Sequence, residues 1–197
     1  ETLTPLATNG VNAEVTLDGG NESDTYNVGL IGDATHSLIN VFESGGPGTD
    51  VLNIEGTDDP DLFLLRAAAA QSGLAFVALL NQDPNFERVN YNTNLETINV
   101  FSKEGNDRFF LDDTRAAITI DSGAGNDFFI LVNLADYGEG EQIHGGSGTD
   151  TLLFAGSGES LVLSALANNL VTGLEVVDLT GTGNNSLSLA LGDLLQE

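Results

Sequence analysis

Gly145–Phe154 reads GGSGTDTLLF, Gly45–Ile54 reads GGPGTDVLNI and Ser122–Leu131 reads SGAGNDFFIL. Each is a glycine-rich turn, an aspartate in one slot, then an apolar run. Aligned on that acid, Asp50 follows Gly45, Gly46 and Gly48, Asp150 follows Gly145, Gly146 and Gly148, and Asp127 follows Gly123 and Gly125. Asp24 follows Gly19 and Gly20 with Glu22 in the third glycine's place, and Asp107 keeps only Gly105. A sixth copy, TGTGNNSL, carries Asn185 in the acidic slot. Two residues after the slot every copy is apolar: Tyr26, Leu52, Phe109, Phe129, Leu152 and Leu187. Seven residues before it four of the six are apolar: Leu17, Val100, Ile120 and Ile143. A chain that repeats one supersecondary unit is confined to folds in which equivalent units lie on one another, because no single unit buries its own apolar face.

The slots fall at 24, 50, 107, 127, 150 and 185, so the unit is 20 to 26 residues long where copies are consecutive. Short alternating segments flank the turns (AEVTLD, SLINVF, ETINVF, AAITID, LEVVDLT), which is the pattern of strands bounded by Gly/Asn/Asp turns. The expected fold is all-β: one elongated domain over residues 1–197, a right-handed parallel β-helix or β-roll-like solenoid with irregular, longer rungs. Residues 57–94 lack the turn. There RAAAAQSGLAFVALL has helical propensity, but DLFLLR, LAFVALL and FERVNY read as strands of one or two long rungs, with 67–73 as a briefly helical connection.

Charge narrows the function. Thirty acids face five bases, a net of −25. Phosphate neutralisation and attraction to anionic lipid both need the opposite sign, so nucleic acid and membrane surfaces are excluded as partners. Cysteine is absent, which removes disulfides and thiolate metal sites. The chain opens on Glu1 and contains no methionine, so it is expected to be a piece of something longer.

Stacking brings the acids together. Parallel rungs lie about 4.7–4.9 Å apart, and carboxylates at that separation repel by roughly 1–4 kcal/mol per pair. Calcium takes six to eight oxygens at about 2.3–2.6 Å, so one ion reaches two stacked turns. Glycines at fixed offsets permit the positive φ that turns carbonyls inward. The candidate calcium ligands are Asp107, Asp127 and Asp150 on consecutive rungs, then Asp50 and Asp24, with carbonyls of Gly105, Gly123, Gly125, Gly146, Gly148, Gly46 and Gly48. Asp50 and Asp107 are too far apart in sequence to share an ion. The alternative for any one copy, Asp24 above all, is an aspartate that caps its own turn. Asn185 is expected to be a turn former, and Asp58–Asp61 a solvated turn.

GGPGTDVLN and GGSGTDTLL resemble the nonapeptide of RTX (hemolysin-type) calcium-binding proteins, G-G-x-G-x-D-x-U-x, and LEVVDLTGTGNNSLSLALGDLL is similar to segments of very large bacterial surface and secreted proteins of that kind. The resemblance implies calcium at the better turns, and export to a place where calcium is abundant: extracellular, secreted or on the cell surface. The copies here are not tandem and half are degenerate, which leaves the number of ions open.

An enzyme is the main rival, since parallel β-helices host polysaccharide lyases and epimerases. Such sites pair carboxylates with basic or aromatic partners, and here tryptophan is absent and the imidazoles are His36 and His144 alone. His144 is expected at the surface, and no catalytic residue is assigned. A calcium-free acidic spacer is the other alternative. An adhesive face for glycans or other surface components would need exposed aromatics; of Phe109/Phe110 and Phe128/Phe129, one of each pair should face the core. Neighbouring domains of a larger chain are the remaining expected partners.

Overall fold

The computed structural model describes residues 2–3, 13–32, 36–68, 73–82, 85–114, 116–132, 140–162 and 171–189. Among them the secondary structure is entirely strand. The first sheet holds β1 (Thr2–Leu3), β3 (Thr25–Gly29), β5 (Val51–Glu55), β9 (Thr97–Phe101), β11 (Ile118–Asp121), β13 (Gln142–His144) and β16 (Val171–Thr172), in that order and all parallel. The second runs β2 (Ala13–Leu17), β4 (Ser37–Val41), β8 (Asn85–Asn92), β7 (Leu74–Gln82), β6 (Leu62–Ala67), β10 (Arg108–Leu111), β12 (Phe128–Leu131), β14 (Thr151–Phe154) and β17 (Val176–Asp178). A third, two-stranded sheet pairs β15 (Ser160–Val162) with β18 (Ser186–Ser188). The chain thus crosses back and forth between two long sheets, adding a strand to each in turn.

Period-two burial explains why these segments are strands: one side of each packs inward, the other faces out. In register, Tyr26, Leu52, Ile98 and Ile118 form one inward row of the first sheet, and Val28, Ile54, Val100, Ile120 and Ile143 the next. In the second sheet Phe63, Phe109 and Phe129 stack with ring centroids 5.1 Å apart. Both sheets contribute to one core cluster. Outside, Asn27, Asn53 and Asn99 form an amide ladder with N–H···O distances of 2.9 and 2.8 Å. As expected, Phe109 and Phe129 are buried, while Phe110 is half-buried and Phe128 is 37% exposed under the Arg108 guanidinium.

The stretch without turns departs from parallel rungs. β7 is antiparallel to both β6 and β8, whereas β6 and β8 each pair in parallel with their outer neighbours. The reason is reach: a short connection closes an antiparallel hairpin, while a parallel partner requires a crossover. Ala67 and Leu74 are close enough in sequence only for the first. Ala67 ends β6, Ala68 N–H bonds Leu74 O at 2.8 Å, and the helical reading of the connection falls largely outside the described residues.

The glycine turns also stack. Ala124 bridges in parallel to Glu104 on one side and Ser147 on the other. Gly125 and Gly148 have φ of +149° and +143°, and a Cβ on Gly125 would lie 1.4 Å from Gly105 O. No rotamer relieves a backbone collision. Gly125→Ala should therefore lose about 1–3 kcal/mol to overpacking, with left-handed strain of about 1–2 kcal/mol added; an unchanged urea midpoint would show that the turns do not stack this way.

Candidate metal centre

The acid of each turn is the residue just before a strand; the aspartates in this slot are buried, whereas Glu96 and Glu175 are exposed. At the crossings from the first sheet to the second these residues are Asp61, Asp107, Asp127, Asp150 and Glu175. They form a continuous ladder: the N–H of Asp61, Asp107, Asp127 and Asp150 donates to a carboxylate oxygen of the next member, each at 2.8 Å. The sequence-predicted trio Asp107, Asp127 and Asp150 lies in register on adjacent strands, and all three are fully buried. Each aspartate therefore caps a neighbouring turn rather than its own.

That leaves the second oxygen. Oδ2 of Asp107, Asp127 and Asp150 is buried without a hydrogen-bond donor. The Ser102 hydroxyl lies beside Asp107 but sends its proton to Ser122 O at 3.0 Å. Ser122 donates in the same way to Gly145 O at 2.9 Å. Asp61 marks the boundary of the feature, because its oxygens accept from Thr57 N–H, the Thr57 hydroxyl and the Asn81 amide at 2.8, 2.8 and 2.5 Å. DDPD is accordingly not a uniformly solvated turn: Asp58 and Asp59 are exposed, but Asp61 is 2% exposed and starts the ladder.

Electrostatics follow the burial. Desolvation pushes Asp107 up to about 6, with the Asp127 and Asp61 charges adding to it while the Asp61 N–H opposes it. Burial raises Asp127 and Asp150 as well, against the N–H groups they accept. The folded environment thus disfavours a bare negative charge at all three positions.

Asn185 shows what the neutral version looks like. Its Oδ1 accepts Glu159 N–H at 2.9 Å, as the ladder aspartates do, and its Nδ2 faces the carbonyls of Gly156, Leu179 and Phe154 at 3.2, 3.4 and 3.5 Å. Where Asn185 has a donor, the aspartates carry an orphaned acceptor. At Asp150 a carbonyl again converges: a Cβ on Gly145 would lie 2.0 Å from Gly173 O and 2.8 Å from Asp150 Oδ2. A cation satisfies such a set of oxygens, and the carboxylates fit a hard divalent ion.

The return crossing carries Asp24, Asp50 and Glu96. Asp24 N–H donates to Asp50 Oδ1 at 2.8 Å, and Asp50 N–H to Glu96 Oε2 at 2.7 Å. Asp50 and Asp107 are therefore not merely distant in sequence but on opposite crossings. Burial, reinforced by Glu43, Glu96 and Asp24, raises Asp50. Glu43 joins this group: one carboxylate oxygen each from Asp24, Glu43 and Asp50 lies within 4.8 Å of the others, and all three residues are buried.

The glycines divide. Gly105, Gly123, Gly125, Gly146 and Gly148 take positive φ, as do Lys103, Gly20 and Glu22 at the matching slots. Gly46 and Gly48 do not; in that turn it is Gly45, at +81°. Pro47 accounts for Gly46, since the residue before a proline is driven toward extended backbone. Of the two copies that match the nonapeptide in full, the one at Asp150 has the common turn and the one at Asp50 does not. Sequence reasoning missed Asp61 and Glu175, whose turns keep one glycine each (Gly56 and Gly173), Glu96, and Glu43, whose only signal was an acid in a usually apolar slot. His144 is partly exposed, its Nδ1 2.6 Å from Thr172 Oγ1. No family model, curated protein or solved structure matches this chain.

Proposed function

We propose that this chain is a calcium-binding structural module of a large secreted or cell-surface bacterial protein of the RTX kind, folded as a right-handed parallel β-solenoid. The observation that carries the reading is the run of three buried aspartates, each with one oxygen held by a neighbouring turn and the other without a donor. Asp107, Asp127 and Asp150 would hold the ions, and calcium would supply the positive charge that their burial lacks. The acidity then has a purpose beyond solubility. A structural role is favoured over an aromatic adhesive face, because the phenylalanine ladder is core and Phe128 alone is an exposed aromatic among the described residues. No catalytic role is assigned.

Calorimetric titration of the metal-free chain with calcium, followed in parallel by circular dichroism, should show saturable binding with a gain of β structure. Magnesium should substitute poorly, since it demands a tighter octahedral shell. Absence of calcium uptake at millimolar concentration would leave the ladder as hydrogen-bonded turn caps.

A further inference from the structure

We propose that Asp24, Glu43 and Asp50 form a second divalent-cation site, on the crossing opposite the Asp107–Asp150 ladder, with Glu43 as its defining ligand. Glu43 belongs to no glycine-turn slot and is 1% exposed. Its backbone is held from both sides. Phe42 N–H bonds Leu17 O and Ser44 N–H bonds Asp18 Oδ1, at 3.0 and 3.1 Å, while the Asn92 and Asn94 amides donate to Glu43 O at 2.7 and 2.8 Å. The side chain is therefore placed, not free to turn out into solvent.

Glu43 Oε1 accepts from Gly19 N–H at 2.7 Å and from the Tyr26 hydroxyl. Glu43 Oε2 is buried and has no donor. Asp50 likewise commits Oδ1 to Asp24 N–H. These anchors fix the carboxylates while bringing one oxygen from each to within 4.8 Å of the other two. A single shared proton cannot balance three buried carboxylates, because two negative charges remain. An ion of charge two or more can. With oxygen ligands alone and no imidazole or thiolate, the site selects hard cations of calcium's class. It is separate from the ladder ions and does not depend on them.

Tyr26 makes the site observable, since its hydroxyl contacts Glu43 while the ladder neighbours are phenylalanines. Terbium(III) added to the intact chain should give tyrosine-sensitised luminescence that calcium displaces. Tyr26→Phe should abolish the emission without abolishing terbium uptake measured by equilibrium dialysis. Glu43→Gln should abolish emission and weaken this site at least about tenfold, as affinity follows ligand charge, whereas Asp127→Asn should leave the emission in place. Should Glu43→Gln fail to fold by circular dichroism, Asp50→Asn gives the same reading. Emission that survives Glu43→Gln and Asp50→Asn, or none from the wild type, overturns this site. Emission lost only in Asp127→Asn would overturn it too, while leaving calcium in the ladder standing.

Discussion

In millimolar calcium this chain should melt roughly 10–20 °C above its melting point in chelator, taking two sites as the minimum. A ligand that binds only the folded state stabilises by RT ln(1 + [L]/Kd), about 2.7 kcal/mol per site at a hundredfold excess, and each kcal/mol moves the melting temperature of a chain this size by about 2–4 °C. Asp127→Asn separates a metal ligand from a cap. Asparagine keeps an oxygen for Asp107 N–H, the bond now 2.8 Å long, and removes a charge that the folded site disfavours. In chelator the variant should therefore melt slightly higher than wild type, and Asn185 already shows the amide accommodated in an equivalent turn. In calcium the sign should reverse, because Asp127 lies between Asp107 and Asp150 and serves both intervals. An equal loss in calcium and in chelator would mean that the carboxylate acts only as a hydrogen-bond cap.

The same residues show how much of this was legible in the sequence. The slot two residues after each acid is apolar because it is the first inward position of the strand, and that local relation survives into Phe109, Phe129 and Leu152, which lie side by side in the core. Local grammar therefore gave the strands, the inward phenylalanines and the alignment of Asp107 with Asp127 and Asp150. It could not say on which crossing a turn lies. Asp50 and Asp107 carry the same motif on opposite crossings, because Asp61, Glu96 and Asp107 mark three successive crossings after Asp50, and an odd number reverses the direction. Strand direction was hidden for a similar reason: apolar alternation over 62–92 is identical for parallel and antiparallel pairing. Glu43 was beyond reach because its role depends on Gly19 and Tyr26, neighbours that only stacking provides.

Acidification should stabilise the metal-free chain, against the usual behaviour of paired aspartates. Asp50, Asp107, Asp127 and Asp150 all sit above the ordinary carboxylate value of 3.8 in the folded state, with Asp107 at about 6 and burial the leading cause in each. A carboxyl that holds its proton more tightly when folded contributes stability that is fully present below the unfolded pKa and lost as pH rises through the folded one. The window for Asp107 therefore runs from about 4 to about 6. Relief of general repulsion at a net charge of −25 acts in the same direction, so the ladder must be isolated by mutation. Metal-free wild type should melt higher at pH 5 than at pH 7, and Asp107→Asn should flatten that slope. Calcium binding requires the ionised carboxylates, so the calcium-loaded protein should move the other way and the two curves converge on acidification. A metal-free melting temperature that falls between pH 7 and pH 5 would contradict the raised carboxyls, and with them the claim that the ladder lacks positive charge.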